Sequence, residues 1–376
     1  MVAWRRYLHQ YPELSYHEQK TSEWIAAKLT SFGLEVQLGV GGYGVTALLR
    51  GNEEGPTVAL RADIDALPIQ DEKVCDYSST VPGVMHACGH DGHTAALLGA
   101  AKLLSEIKNK IAGTIKFIFQ PAEEVTPGGA KPMIEAGVLA GVDAIYGIHL
   151  WTPFPVGTAS TKAGALMAAA DEFDIEIQGK GGHGGLPHVT IDSLLVAAHL
   201  VVNLQTVVSR SLNPIVPSVV TVGCLSAGKS FNIIADRAIL KGTVRTFDEP
   251  TRQLARRRVE EIIAHTCAMF GADYTLDYKM GYPPLINHPN ETEIFVEAAC
   301  EVLGREAMNE PELIMAAEDF SHYLNEIPGS FLFIGAGGSG AQYAHHHPMF
   351  DLEEQAIGLA TRILCSVALK RLGIRL

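Results

Sequence analysis

The chain has 376 residues, of which 47% are hydrophobic, and its formal net charge at pH 7 is −13. This length and apolar content predict a large core in two domains, and the acidic charge without a lysine- or arginine-rich block argues against a nucleic-acid partner. The six cysteines are scattered without a Cys-x-x-Cys pair, and no uninterrupted apolar run reaches membrane-spanning length, so we expect a cytoplasmic protein that does not enter a membrane.

Short apolar strands alternate with helices in the first half of the chain. The pattern predicts strands at 57–62, 113–120 and 143–150, with helices at 94–108 and 129–139. Strands that alternate with helices form a largely parallel sheet that is covered on both faces. We therefore expect an α/β fold whose functional residues lie just beyond the carboxyl ends of the strands.

Ionisable residues stand at those strand ends. Asp63 and Asp65 follow the first strand, Glu123 and Glu124 follow the second, and His149 closes the third. Adjacent carboxylates repel each other, so a pair near other acids favours a bound cation. One of them can bind a metal ion while the other takes a proton from water. The plainer alternatives are a solvated acidic turn for the glutamates, ordinary strand-to-loop capping for the aspartates and a core position for the histidine.

The segment 85–93 carries a second indication of a metal site. It places Cys88 and His90 two positions apart, on either side of Gly89, at the start of the helix predicted at 94–108. Thiolate and neutral imidazole are ligands of zinc and other transition metals, and the glycine lets both side chains face one ion. The alternative is a buried free cysteine beside histidines that happen to be near it.

The pattern of elements changes between residues 171 and 281. Strands and helices are predicted there in the order β-α-β-β-α-β, at 173–177, 191–210, 218–224, 238–246, 251–270 and 274–278. That order is typical of a ferredoxin-like domain. We expect residues 171–281 to form an inserted domain, and residues 1–170 and 282–376 to form one discontinuous domain that ends in helices at 291–303 and 354–372.

Seven motifs occur in order along the chain: WRRYLHQYPELS at 4–15, LRADIDALP at 60–68, MHACGHDGH at 85–93, QPAEE at 120–124, GKGGHG at 179–184, AEDF at 317–320 and HHPMF at 346–350. Together they resemble the M20 metallopeptidase family. The likeness is to its branch of N-acyl-L-amino acid amidohydrolases, hippurate hydrolases and auxin-conjugate hydrolases, and it spans nearly the whole chain.

The resemblance implies a site for two divalent ions, which are Mn²⁺, Zn²⁺, Co²⁺ or Ni²⁺ in this family. The implied ligands are Cys88, His90, Glu124, His149 and one histidine of the 345–347 triplet. The family pattern places the ligand two positions before proline, which selects His346, although three adjacent histidines leave the choice open. Glu123 matches the general base, and either Asp63 or Asp65 matches the acid that orients a ligand.

The resemblance also implies roles for the inserted domain, as a lid over the substrate and as the contact of a homodimer or homotetramer. His183 matches a lid histidine that polarises the substrate carbonyl, often in the partner subunit's site. Asn232 and Arg245 match residues that hold the substrate amide and carboxylate. Arginine suits the last role because its planar fork binds a carboxylate bidentately.

The implied activity is hydrolysis of the amide bond of an N-acyl-L-amino acid, a small-molecule substrate. Alternatives within enzymes are a dedicated deacetylase of an intermediate such as N-acetyl-diaminopimelate, and a dipeptidase. A non-catalytic ligand-binding or scaffold protein on the same fold is the alternative from another class. The presence of both Glu123 and Glu124 argues against that last reading, because a binding protein needs no base.

Overall fold

The computed structural model describes residues 1–374. The α-helices of these residues are α1 (Val2–Gln10), α2 (Gln19–Ser31), α3 (His90–Glu106), α4 (Ala130–Glu135), α5 (Ser193–Thr206), α6 (Glu249–Phe270), α7 (Pro289–Leu303), α8 (Ser321–Glu326) and α9 (Gln355–Arg371). The strands are β1 (Glu35–Val40), β2 (Gly44–Arg50), β3 (Glu53–Asp63), β4 (Ala112–Gln120), β5 (Ala144–Pro155), β6 (Ala159–Ser160), β7 (Gly164–Met167), β8 (Ala169–Gln178), β9 (Gly182–His183), β10 (Val219–Ala227), β11 (Ile233–Ile234), β12 (Arg237–Thr246), β13 (Asp273–Lys279), β14 (Leu285–Asn287), β15 (Met308–Asn309) and β16 (Gly329–Gly337).

The larger of two compact units comprises residues Met1–Leu166, Ile286–Glu312 and Asp319–Leu376. Its eight-stranded sheet has the order β1-β2-β4-β3-β5-β16-β6-β15. The central strands β4, β3, β5 and β16 are parallel, whereas β1 and β2 add an antiparallel edge. The apolar runs of the central strands are buried together with residues of α3, α7 and α9. The predicted α/β fold class with a mainly parallel sheet is confirmed.

The smaller unit comprises residues Met167–Leu285 and Leu313–Glu318. Its elements follow the order β8, α5, β10, β12, α6, β13, and its antiparallel sheet has the strand order β10-β12-β8-β13. Phe173, Ile175 and Ile177 alternate with polar residues along β8 and are buried in the core of this unit. The segment predicted as an insertion, 171–281, lies within this unit, and its role as a lid stays a prediction.

Several predicted boundaries were wrong, and three of them lie near the candidate site. Helix α4 ends at Glu135 rather than at 139, because Gly137 takes a left-handed backbone with φ 82°. Helix α3 begins at His90 rather than at 94, directly after Gly89 with φ 95°. Strand β5 continues to Pro155, so His149 lies within this strand instead of closing it, and the pairing of β5 with β16 accounts for the extra length.

Within residues 1–374, one helical segment is long and apolar enough to cross a membrane by length and composition alone, and it is Ser193–Ser211. A helix of a protein core meets the same two criteria. One face of α5, with Val196, Leu200 and Leu204, is buried in the core of the smaller unit.

Candidate metal centre

The five implied metal ligands come from four parts of the larger unit. Cys88 and His90 flank the start of α3, Glu124 follows β4, His149 lies in β5, and His346 lies in the loop before α9. Gly89 allows the sharp turn between the first two because its left-handed backbone is one that residues with a side chain rarely adopt. The fold thus gathers residues that are up to 258 positions apart in the chain, from Cys88 to His346.

The ligand atoms lie at distances that suit shared ions. The Sγ atom of Cys88 is 3.5 Å from Nε2 of His149. Oε1 of Glu124 lies 3.4 Å from Nε2 of His346 and 3.8 Å from Nε2 of His90. Two ligands bound to one ion at about 2.0–2.3 Å are roughly 3 to 4 Å apart. Among the implied ligands, two sets of three fit such an arrangement and share Cys88: one with His90 and His149, the other with Glu124 and His346.

Two buried ligand atoms have no hydrogen-bond partner within residues 1–374. They are Nε2 of His90 and Oε1 of Glu124. A buried polar atom without a partner costs about 1–3 kcal/mol, so native proteins rarely leave two of them together. Both atoms face the same cluster, and a cation there satisfies both. The residues present therefore fit a metal centre.

The charges of the cluster also favour a cation. Burial alone lowers the pKa of His90, but the carboxylates of Asp63 and Asp65 outweigh it and raise this pKa to about 10. Burial and the charges of Glu124 and Glu123 hold the pKa of the Cys88 thiol well above its ordinary value. Such surroundings stabilise positive charge, and a divalent ion supplies more of it than a proton.

Asp65 contacts the imidazole of His90 at Nδ1, the ring nitrogen on the side away from the cluster. Nδ1 of His90 lies 2.9 Å from the carbonyl oxygen of Asp65 and 3.1 Å from its Oδ1, which directs Nε2 toward the cluster. Oδ2 of Asp65 accepts hydrogen bonds from Oγ of Ser15 and from the backbone amide of Glu124. The geometry therefore favours Asp65 as the acid that orients a ligand.

Asp63 has a different set of partners. Its Oδ1 lies 2.6 Å from Nδ1 of His93, and its Oδ2 accepts a hydrogen bond from Arg61. Nε2 of His93 in turn accepts the backbone amide of Leu150, one residue after His149 in β5. Through His93, Asp63 at the end of β3 is thus linked to the middle of β5. Its Oδ1 lies 3.8 Å from Nε2 of His90.

Glu123 points its carboxylate toward the same cluster. Oε2 of Glu123 lies 4.0 Å from Nε2 of His90, and the residue is 7% exposed. A carboxylate in this position is next to the ligands and shielded from bulk solvent. That is the placement a general base requires, close to the atoms between which a proton moves.

The three histidines at 345–347 lie in different environments. His346 is the member within reach of Cys88 and Glu124, and its backbone is left-handed with a φ of 65°. His345 stacks on Trp151 with ring centroids 4.6 Å apart, and its Nε2 accepts the amide of Thr152. His347 stacks on Tyr343. The geometry thus favours His346 as the ligand.

The remaining predicted residues belong to the smaller unit. His183 lies in β9, which pairs with β11. The amide of the next residue, Gly184, donates to the carbonyl of Asn232, so His183 and Asn232 lie close together. The amide of Gly185 donates to Nδ1 of His183, which leaves the proton on Nε2. Arg245 lies in β12, where its guanidinium bonds to Thr243, and burial lowers its pKa.

Sequence reasoning missed several residues that support the ligands. Arg61 is fully buried and bonds to Asp63, Gln120 and Asp319. Asp319 also accepts the amide of Ala130 at the start of α4. The arginine inside the apolar run of β3 indicates that acidic residues lie near it, because a fully buried guanidinium requires an acidic partner.

The comparison with known sequences identifies a family. The profile described as Peptidase family M20/M25/M40 matches residues 59–370. The chain is 47% identical over 289 residues to the N-acyl-L-amino acid amidohydrolase of Geobacillus stearothermophilus, covering 77% of this chain and 78% of the relative. It is 43% identical to the N-acetyl-L-cysteine deacetylase of Bacillus subtilis (strain 168), covering 99% of this chain and 88% of the relative.

A solved structure supports the same family. The chain superposes on the Bacillus subtilis YXEP protein, described as a dinuclear metal binding peptidase from the M20 family, with a TM-score of 0.85 and 37% identity. That match covers 100% of this chain and 98% of the other. The resemblance drawn from the seven motifs is therefore confirmed.

Proposed function

Because this chain belongs to the peptidase family M20/M25/M40, we propose that it is a metal-dependent amidohydrolase that cleaves the amide bond of N-acyl-L-amino acids. The products are a carboxylic acid and a free amino acid. The observation that carries the proposal is the ligand cluster, with Cys88, His90 and His149 buried and the carboxylate of Glu123 facing it. The relatives named for N-acyl amino acid hydrolysis, at 43% and 47% identity, support the substrate class.

Cys88, His90, Glu124, His149 and His346 would hold two divalent ions, and Cys88 belongs to two of the groups of three residues whose atoms are close enough to bind one ion. When bound, these ions supply Lewis-acid polarisation of the scissile carbonyl and make water more acidic. The mixed set of sulfur, nitrogen and oxygen ligands suits Mn²⁺, Zn²⁺, Co²⁺ or Ni²⁺. Asp65 keeps the ring of His90 in the orientation that presents Nε2.

Glu123 moves the proton during the reaction. Its carboxylate takes a proton from the attacking water and returns it to the nitrogen of the leaving amine, so the amine departs neutral. Burial of Glu123 beside the ligands keeps the carboxylate close to the reacting atoms and away from bulk water. The presence of this base next to a metal ligand favours an enzyme over a binding protein.

The smaller unit contributes the groups that hold the substrate. His183 donates from Nε2 to the substrate carbonyl oxygen, where negative charge develops. Asn232 holds the amide, and Arg245 holds the carboxylate of the amino acid. These roles are those that the family resemblance implies, and the proximity of His183 and Asn232 supports a shared task.

The smaller unit also joins two subunits, with a dimer as the basic assembly. Strand β10 is an edge strand, and α5, which packs beside it, exposes Leu194, Leu195 and Val202. Unpaired strand edges and exposed apolar side chains are typical of surfaces that bind another protein. A second copy of this chain is the occupant we propose, and the assembly is cytoplasmic.

A substrate panel tests the proposal. Protein reloaded with Mn²⁺, Zn²⁺, Co²⁺ or Ni²⁺ is incubated with N-acetyl and N-aroyl L-amino acids, with N-acetyl-diaminopimelate and with dipeptides, and the increase in free amine is measured with ninhydrin. We expect hydrolysis of several N-acyl amino acids and loss of activity in EDTA. Activity confined to N-acetyl-diaminopimelate or to dipeptides indicates the narrower enzymes, and binding without hydrolysis by protein with two ions indicates a binding protein.

A further inference from the structure

The residues on either side of Glu123, Ala122 and Glu124, each donate their backbone amide to a buried carboxylate. The amide of Ala122 donates to Oε1 of Glu18 at 2.8 Å, and the amide of Glu124 donates to Oδ2 of Asp65 at 3.0 Å. Glu18, Ala122 and Asp65 are at most 1% exposed. The backbone that carries Glu123 is thus held on both sides by acids from other parts of the chain.

Ala122 adopts an unusual backbone conformation at this point. Its φ of 54° lies in the left-handed region, which residues with a Cβ rarely adopt. Such a conformation costs about 1–3 kcal/mol and persists only where the surroundings hold it. The hydrogen bond to Glu18 is the contact that holds the Ala122 amide in this orientation, and the direction of the Glu123 side chain depends on it.

Neighbours of Glu18 hold the same loop. Oγ of Ser15 donates to Oδ2 of Asp65, which also accepts the amide of Glu124. The hydroxyl of Tyr16 lies 3.3 Å from the carbonyl oxygen of Val125 and 3.4 Å from that of Gly128. Tyr16 and Glu18, which the assigned activity does not use, therefore contact the loop after β4 directly, and Ser15 is linked to it through Asp65.

We propose that Glu18 is a positioning residue that sets the direction of the Glu123 carboxylate by fixing the strained Ala122 peptide. Glu18 acts through the backbone and touches neither substrate nor metal. The proposal rests on the proposed function, in which Glu123 carries the proton. A small displacement of a reacting group lowers turnover by up to roughly 100-fold, so the cost of losing Glu18 is measurable.

Variants of Glu18 test the proposal in the full chain loaded with metal. Glu18→Ala removes the acceptor, and we expect kcat to fall by roughly 10- to 100-fold while KM changes by less than about threefold. Metal content should stay at the wild-type level, because Glu18 contacts none of the ligands. Glu18→Gln keeps an oxygen that accepts the Ala122 amide, and it should restore kcat to within about threefold of wild type.

Glu13 offers a matched control. Its Oε2 accepts the amide of Thr21 at 2.8 Å in the first turn of α2, which is the same kind of bond outside the loop that carries Glu123. Glu13→Ala should lower the melting temperature but leave kcat unchanged. If Glu18 had a structural role alone, both alanine variants would lose activity only in proportion to the fraction of the protein that is unfolded.

Three outcomes overturn the proposal. They are full kcat in folded Glu18→Ala, a loss of activity that matches a loss of metal, and a Glu18→Gln variant as poor as Glu18→Ala. If Glu18→Ala does not fold, Glu18→Gln against Glu18→Leu provides the same contrast. Full activity in Glu123→Gln would instead overturn the proposed function, whereas an inactive Glu123→Gln with an unimpaired Glu18→Ala would overturn this inference alone.

Discussion

Nδ1 of His90 lies 3.1 Å from Oδ1 of Asp65, and the same nitrogen lies 2.9 Å from the Asp65 carbonyl oxygen. These contacts place the proton of the neutral ring on Nδ1 and leave the lone pair of Nε2 for a metal ion. The other oxygen of Asp65 accepts the amide of Glu124, which is also an implied ligand. One buried carboxylate therefore positions ligands from two different parts of the chain.

Asp65→Ala should weaken metal binding. Loss of the acceptor lets the His90 ring rotate and frees the Glu124 peptide, so we expect metal affinity to fall by about 10- to 100-fold in a chelator-competition titration. Asp143→Ala is the control, because Oδ2 of Asp143 accepts the amide of Thr57 in β3, away from the ligand cluster. Unchanged affinity in Asp65→Ala would show that His90 needs no such support.

Glu123→Gln should remove the base without removing the metal. Glutamine has the shape of glutamate but accepts no proton at neutral pH, so we expect kcat to fall by roughly 10²–10⁴-fold with metal content near wild type. The exposed Glu135 of α4 provides the control variant Glu135→Gln, which should be fully active. Wild-type turnover in Glu123→Gln would contradict the proposed proton transfer.

Cys88→Ala should lose metal and activity together, whereas Cys75→Ala, at an exposed position, should lose neither. The thiol must give up its proton to bind an ion, and the surroundings of Cys88 hold its pKa well above its ordinary value. Metal affinity should therefore rise with pH. When metal is added to chelator-stripped protein, wild type should also release more protons than Cys88→Ala does. Isothermal titration in buffers of different ionisation enthalpy measures that difference. Equal metal content in both proteins would reduce Cys88 to a packing residue.

Much of the fold followed from the sequence because its central strands are short apolar runs between helices. Strand β16 was missed, although all nine of its residues are buried, because Gly329–Gly337 mixes glycine with apolar residues and lacks a period of two. The candidate ligands were found from residue types at strand ends. The contacts that orient them were not, because Ser15, Glu18 and Asp319 are distant in sequence and acquire their roles only in the folded chain.

Asp71 should make stability depend on pH in the acidic range. Burial alone raises its pKa, but hydrogen bonds from His9 and from the amides of Ser79 and Lys73 outweigh burial and lower it. A lowered pKa means that the carboxylate stabilises the fold above its ordinary pKa of about 4, and that this contribution is lost as the pH falls below it.

Asp71→Asn should therefore lower the free energy of unfolding by about 1–3 kcal/mol at pH 7, because one of its amide donors loses an acceptor. The difference from wild type should shrink at pH 3, because at that pH the carboxylate takes up a proton in the unfolded chain while its lowered pKa keeps it ionised in the folded protein. Urea titration of chelator-treated protein at both pH values provides the measurement. The exposed Asp76 gives the control Asp76→Asn, which should differ from wild type by less than about 0.5 kcal/mol. A difference that grows on acidification would contradict the assigned direction.

His183 is exposed in the smaller unit and carries its proton on Nε2. If a dimer forms through that unit and His183 acts in the partner's site, then inactive His183→Ala and inactive Glu123→Gln proteins should restore activity when mixed. About half of the dimers are then mixed, and one of their two sites combines a wild-type base with a wild-type histidine, so about a quarter of wild-type activity should return.

Two measurements make this mixing experiment decisive. Differently tagged chains must first show that subunits exchange, and the mixed dimers are then isolated through both tags. A mixture of His183→Ala with the double variant Glu123→Gln/His183→Ala is the control, and it should stay inactive because no chain supplies the histidine. Mixed dimers that form but remain inactive would assign His183 to its own subunit's site or to no site. Restored activity requires the histidine to cross the interface, because neither inactive chain contains a complete site of its own.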